Sequence, residues 1–129
     1  MDELNPGLTG TCEWSVTAGM TASQVGSGLV AVFSTPMLAA LMENAAVDAL
    51  AAYLDEDQTS VGTRIDVRHL AATPVGMTVR ARATLAEIDQ RRLIFQVEAW
   101  DAVEKIGEAT HERVIVDRAR FEARAREKG

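Results

Sequence analysis

Apolar residues fill the stretch from Ser34 to Leu54 so densely that they predict one buried helix, interrupted at its middle by Glu43 and Asn44. A helix that is apolar on nearly every face is normally buried. Thr35 followed by Pro36 predicts its start, because threonine is a good N-cap and proline suits the first helical position. The polar residues and the limited length argue against a membrane span. We therefore expect a core helix that the rest of the chain wraps.

Outside this helix the apolar positions alternate with a period of two, which predicts strands. The expected strands are Leu8 to Thr17, Ser60 to Leu70, Met77 to Ile88, a strand carrying Leu93 to Ala99, and Lys105 to Val116. The Gly/Ser/Thr-rich residues 18–32 predict a loop or mobile flap, and the charged residues 117–128 predict a helical tail.

One strand, a long helix and four antiparallel strands joined by short turns predict an α+β fold in a single domain over residues 1–129. One sheet can bury an all-apolar helix only by curling around it. The hotdog fold has this form, a curved antiparallel sheet wrapped around a long central helix. Hotdog domains generally pair edge to edge, so we expect a homodimer, with a tetramer as the alternative.

Charge and composition narrow the class of protein. The net charge of −6 argues against nucleic-acid binding. Eleven of the thirteen basic residues are arginines, which suit phosphate and carboxylate groups. The candidates for binding an anionic ligand are Arg64, Arg68, Arg80, Arg82 and Arg91, although ordinary surface charge explains them equally well. The lone Cys12 predicts no multi-cysteine metal site. The first residues resemble no signal peptide, so a cytoplasmic protein without a membrane partner is expected.

Three polar residues are predicted to converge on the inner side of the sheet. Thr35 starts the helix, Glu43 follows eight residues later, and His69 shares a strand face with Thr63, Ile65 and Val67. A hydroxyl, a carboxylate and an imidazole near a helix N-terminus suit acyl transfer, since the helix N–H groups can stabilise an oxyanion. Each also has a structural explanation: a cap, a seam contact, or a satisfied core histidine.

The sequence of the final strand does not decide which of its two faces points toward the core. Either Thr110, Glu112 and Val114 or His111, Arg113 and Ile115 face the core. His111 and Glu112 form only a weak metal-ligand pair, because no third ligand stands at a suitable spacing. No metal site is expected.

The segments VFSTPMLAALMENA, SVGTRIDVRHLAATPVGMTVR and GEATHERVIV resemble the fluoroacetyl-CoA thioesterase family of the hotdog superfamily, from about Val32 to Val116. This resemblance implies hydrolysis of an acyl-CoA to a carboxylic acid and CoA, with no cofactor because CoA is part of the substrate. The family's catalytic residues fall on Thr35, Glu43 and His69. Its acyl-pocket glycine and arginine fall on Gly62 and Arg113.

The chain departs from that family before the helix. The fluoroacetate-resistance enzyme carries a phenylalanine-rich lid there, whereas SQVGSGLVAVFS contains only Phe33, which we expect to contact substrate. A short-chain acyl-CoA is therefore the expected substrate. Two other functions fit the same fold: a non-catalytic acyl-CoA-binding module, and an acyl-CoA dehydratase or isomerase.

Overall fold

The computed structural model describes residues 3–129, in which a single antiparallel sheet carries one long helix. A 3₁₀ turn (Ala18–Met20) precedes the short first α-helix. The elements in chain order are β1 (Thr9–Ser15), α1 (Ala22–Val25), α2 (Thr35–Leu50), β2 (Gln58–His69), β3 (Thr78–Asp89), β4 (Arg92–Trp100), β5 (Lys105–Asp117) and α3 (Arg118–Arg126). The sheet order is β1-β3-β4-β5-β2, so β1 and β2 form its two edges. No helix within residues 3–129 has the length and apolar character needed to cross a bilayer.

Helix α2 packs on one face of the sheet, and the alternation of β3 and β4 explains why. The inward positions of both strands are fully or almost fully buried, as predicted: Val79, Ala81, Ala83, Leu85, Leu93, Phe95, Val97 and Ala99. Small residues on β3 let the helix approach, while larger ones on β4 fill the remaining space. Burying each large apolar side chain contributes roughly 1.5–3 kcal/mol. The expected α+β arrangement of a sheet around a helix is confirmed.

The start of α2 differs by one residue from the prediction. Ser34, not Thr35, is the N-cap: its backbone is extended and its hydroxyl accepts from the Met37 N–H at 3.3 Å. An N-cap needs that non-helical backbone, and Thr35 is already the first helical residue. The shift releases the Thr35 hydroxyl for a different partner. The regular helix ends at Leu50 instead of Leu54.

Helix α2 is also less completely covered than its composition predicted. Pro36, Ala40, Glu43 and Val47 recur at the three- and four-residue spacing of one helix face. Within the chain Ala40 and Glu43 are only partly buried, and Pro36 and Val47 are exposed, Val47 to 45%. This uncovered stripe overturns the expectation of a helix buried all round by its own sheet.

A bulge in β2 changes which residues face the helix. Gly62 pairs with Arg113 and Arg64 pairs with Glu112, so Thr63 is the extra residue between them. The Thr63 hydroxyl donates to the Glu112 carboxylate instead of facing α2. The prediction that Thr63 shares the inner face of β2 was therefore wrong, because a bulge shifts the alternation by one position.

We expect Gly10→Ala to destabilise the fold, because β1 contacts α2 at this glycine. A Cβ at Gly10 would overlap the backbone of Ala45 and Ala49. Overpacking of this kind costs about 1–3 kcal/mol, measured as the free energy of unfolding in urea. Gly19→Ala is the matched control, since its added Cβ meets nothing within 4 Å. Equal stability of the two variants would contradict the close β1–α2 contact.

Candidate active site

A threonine and a histidine form the first group of the candidate site, here called the Thr–His pair. Thr35 Oγ1 and His69 Nδ1 lie 2.8 Å apart, at the start of α2 and the end of β2. His69 Nε2 is buried and has no hydrogen-bond partner among residues 3–129. The pair borders a cleft of about 420 Å³ whose lining includes Phe33, Val30, Leu70 and Ala71. Phe33 itself is fully buried.

The Thr–His pair has the properties of a proton-transfer site. Burial lowers the pKa of His69 below its ordinary value, so the imidazole is neutral near pH 7. A neutral imidazole carries one donor and one acceptor nitrogen. Nδ1 of His69 can therefore exchange a proton with the Thr35 hydroxyl, while Nε2 remains available to a substrate.

The N-terminus of α2 offers one backbone donor beside this pair. The Met37 N–H is bound by Ser34, and Pro36 has no N–H. The Thr35 N–H has no acceptor among the described residues. An unpaired N–H at the positive end of a helix suits a developing negative charge, so Thr35 offers both its hydroxyl and its amide at this point.

The second group, here called the Glu–Arg group, consists of Glu43, Gly62 and Arg113. Arg113 Nη1 donates to Glu43 Oε2 at 3.2 Å, and the Glu43 side chain is 41% exposed. A Cβ at Gly62 would lie 2.6 Å from the same carboxylate oxygen. A side chain at position 62 would therefore displace the Glu43 carboxylate, which is held by Arg113 and still accessible.

Two residues that were not predicted as site residues hold the Arg113 guanidinium in place. Nε donates to the Ser60 hydroxyl at 2.8 Å and Nη2 to the Ser60 carbonyl at 3.0 Å. Nη1 also lies 3.1 Å from His111 Nε2, and His111 Nδ1 lies 2.8 Å from the Arg64 carbonyl. Because a carbonyl only accepts, Nδ1 carries the proton and Nε2 accepts from Arg113.

Burial influences the charge states of His111 and Arg113. It lowers the pKa of His111, which favours the neutral imidazole that Arg113 requires as an acceptor. Burial also lowers the pKa of Arg113, and the Glu43 carboxylate opposes that effect. The inward face that the sequence left open is therefore occupied by His111, Arg113 and Ile115, all of them buried.

The predicted convergence of Thr35, Glu43 and His69 is wrong within a single chain. Thr35 contacts His69, whereas Glu43 contacts Arg113. Eight helical residues separate Thr35 from Glu43, about 12 Å along the axis. Gly62 and His69 lie at opposite ends of β2, roughly 20 Å apart. One chain therefore contains two half-sites instead of one triad.

A metal ion has no suitable set of ligands in this region. His111 faces the core while the neighbouring Glu112 bonds Thr63 on the other face of the sheet. No three His, Cys, Asp or Glu residues within residues 3–129 cluster as a metal site would.

Comparison with known proteins identifies the family. The family model described as "Fluoroacetyl-CoA-specific thioesterase" matches residues 16–119. The chain belongs to this family. It is 45% identical over 97 residues to the fluoroacetyl-CoA thioesterase of Streptantibioticus cattleyicolor, an alignment that covers 75% of this chain and 70% of that protein. The predicted family resemblance is confirmed.

Solved structures agree with the fold. The crystal structure of a variant of the fluoroacetyl-CoA-specific thioesterase FlK has a TM-score of 0.94 at 36% identity, with 100% of both chains covered. A hot-dog-like protein from Thermanaerovibrio acidaminovorans has a TM-score of 0.87 at 26% identity, covering 97% of this chain and 93% of that one. The predicted hotdog fold is confirmed.

We expect the free energy of unfolding to fall as the pH drops below 6.5, the ordinary pKa of histidine. The pKa values of His69 and His111 are lowered in the folded chain, so the unfolded chain takes up protons first. Each histidine contributes at most about 1.4 kcal/mol per pH unit. Urea unfolding at about pH 7.5 and about pH 5.5 tests this above the range where carboxylates normally titrate.

His111→Gln provides the control for this pH dependence, because glutamine keeps an acceptor for Arg113 but does not titrate. The variant should lose the share of the pH dependence that belongs to His111. A wild-type stability that stays constant over this interval, or an unchanged slope in His111→Gln, would contradict the buried neutral state.

Proposed function

We propose that this protein hydrolyses a short-chain acyl-CoA thioester to a carboxylic acid and CoA. The observation that carries this is the Thr35–His69 hydrogen bond at the mouth of a cleft, beside a free helix N–H. Family membership adds the reaction class, since the Streptantibioticus relative is named a fluoroacetyl-CoA thioesterase. The Glu–Arg group supplies the carboxylate that such a hydrolysis needs.

A small apolar acyl group fits the lining of the cleft. Val30, Leu70 and Ala71 present aliphatic carbon next to the Thr–His pair, and the fully buried Phe33 also borders this cleft. The residues between β1 and α2 contain Phe33 as their sole aromatic side chain, and it is buried. Together with the named relative, this lining favours a short-chain acyl group as the substrate class.

In the proposed reaction, Glu43 either attacks the thioester carbonyl or removes a proton from the attacking water. Arg113 fixes one carboxylate oxygen and leaves the other oxygen for this step. The oxyanion that forms is stabilised by the N–H at the start of α2. His69 then donates its proton to the departing CoA sulfur as the carbon–sulfur bond breaks. If Glu43 activated water, the proton that it took returns to His69. If Glu43 attacked, water hydrolyses the resulting anhydride, which releases the carboxylic acid and returns a proton to His69.

This chemistry requires the Thr–His pair and the Glu–Arg group to lie side by side. A homodimer would bring the pair of one protomer next to the group of the other. Among residues 3–129, strand β2 is bonded to β5 alone, so its other edge is open. The uncovered stripe of α2, with Glu43 and Val47, is also unburied within one chain. Open edges and exposed apolar helix faces are normally covered by a partner.

Antiparallel pairing of two β2 edges offers a specific geometry. A two-fold axis through Asp66 would pair Val67 with Ile65 and Arg68 with Arg64, and the bulge at Thr63 would then place His69 of one protomer opposite Gly62 of its partner. Directly opposite residues face the same side of an antiparallel pair, and both residues face inward within their own chain. The Thr–His pair of one protomer would then meet the Glu–Arg group of the other, forming two equivalent active sites.

We expect Glu43→Gln and His69→Ala each to lower turnover of acetyl-CoA by roughly 100- to 10,000-fold. Release of the CoA thiol is measured with a thiol reagent, alongside a melting curve and CoA binding. Asn44→Gln is the control, since Asn44 is exposed and bonds only the Ala40 carbonyl. Near-normal hydrolysis in both folded variants would contradict the catalytic assignment.

Binding of acyl-CoA without hydrolysis in the wild type would favour a binding module. A 2,3-unsaturated product formed from a 3-hydroxyacyl-CoA would favour a dehydratase.

Mixing the two inactive variants tests the shared site. A heterodimer of Glu43→Gln and His69→Ala protomers has one site with both lesions and one intact site. Random subunit exchange should therefore restore about a quarter of wild-type activity. If all three residues acted within one chain, both sites of the heterodimer would be damaged and mixing would restore nothing. A monomeric mass at micromolar concentration would likewise overturn the shared site.

A further inference from the structure

We propose that α3 and the turn before β4 bind the phosphorylated adenosine end of CoA. This inference rests on the proposed function, because it names where the substrate's nucleotide lies. The site is a cavity of about 180 Å³ between α3 and the end of β5. Its charged lining comes from Arg91, Arg120, Arg124 and Asp117, and its apolar lining from Phe121, Ile115 and Val116. The Asp117 carboxylate caps α3, where it accepts from the Arg120 backbone N–H at 2.9 Å.

The charge around this cavity is opposite to that of the whole protein. Residues 118–128 carry five basic and two acidic side chains, in a chain whose net charge is −6. Arg118 and Arg126 lie within 4 Å of the Glu122 carboxylate. By contrast, the described part of the chain offers no carboxylate within that distance of the three cavity arginines, Arg91, Arg120 and Arg124. Those three guanidinium groups are available for phosphate oxygens, which they can bind in a bidentate manner.

Phe121 adds a surface for the base. Its side chain is 46% exposed although it is large and apolar, and it borders the same cavity as the arginines. Aromatic side chains flanked by cationic groups bind nucleotides by stacking on the base while the cations bind phosphate. An exposed phenylalanine with three arginines around it therefore fits a phosphorylated adenosine better than a purely apolar or purely anionic ligand.

The distance from the Glu–Arg group matches the length of the substrate. Arg113 and Asp117 are four residues apart on β5, about 14 Å, and α3 begins directly after Asp117. The pantetheine arm contains about as many chain bonds as four peptide residues, also roughly 14 Å when extended. A thioester held at Glu43 would therefore present its pyrophosphate near the start of α3.

Other arginines that the sequence offered as CoA ligands are less suitable. Arg80 and Arg82 lie over the Trp100 ring, with their guanidinium carbons 5.6 and 5.4 Å from its centroid. Arg82 also lies 3.7 Å from Glu98. These contacts are on the face of the sheet opposite α2. Of the five arginines named from sequence, Arg91 alone lines the α3 cavity.

The test compares substrates with and without the nucleotide. Acetyl-CoA and acetyl-pantetheine carry the same thioester, but only the first carries the phosphates and adenosine. Combining Arg120→Glu with Arg124→Glu should raise KM for acetyl-CoA about tenfold or more through charge reversal. The kcat for acetyl-CoA and the kinetics with acetyl-pantetheine should stay unchanged. The matched control combines Arg118→Glu with Arg126→Glu, the same charge change on the same helix outside the cavity.

A second measurement is independent of hydrolysis. Adenosine 3′,5′-bisphosphate should bind the wild-type protein in calorimetry, and binding should be lost in the cavity variant and kept in the control. This result would support the site even if no thioester were cleaved. Equal loss in both variants, no binding to the wild type, or equal kcat/KM for acetyl-CoA and acetyl-pantetheine would overturn the proposal.

Discussion

The buried Arg113 guanidinium is the constraint on which much of the structure depends. Its residue is only 6% exposed, and a buried charge is costly unless it is paired and hydrogen-bonded. Ser60 supplies acceptors from β2, His111 from β5 and Glu43 from α2. One cation thereby joins two neighbouring strands to the helix above them. The position of the Glu43 carboxylate is a consequence of satisfying that charge.

Regular alternation made most of the fold predictable. In β3 and β4 every second residue is apolar, and those residues are the ones that face α2. The helix α2 was predictable from a different pattern, the dense apolar run that begins near Thr35. The order of the strands was beyond this reasoning, because a period of two states which face a residue occupies and not which strand lies beside it. The cap also shifted by one residue, since Ser34 and Thr35 have similar capping ability.

The site was predictable residue by residue, but its assembly was not. Thr35 and His69, two of the three residues predicted to converge, are in contact because the start of α2 and the end of β2 meet at the cleft. Glu43 was grouped with them although eight helical residues of rise already separate it from Thr35. The role of His111 could not be read from β5, where both alternating sets mix polar and apolar residues. The structure distinguishes the two sets, because His111, Arg113 and Ile115 are buried whereas Thr110, Glu112 and Val114 are only partly so.

The bulge at Thr63 determines which side of the sheet each end of β2 faces. Gly62 and His69 differ by seven positions, an odd number, so in a regular strand they would point to opposite sides of the sheet. The one extra residue restores parity and turns both toward α2. Each end of the strand can then carry a different part of the chemistry on a common surface. Deleting Thr63 itself would leave the two residues an even number of positions apart and both facing the helix, whereas deleting a residue of the regular part while the bulge persists would turn one of them to the solvent.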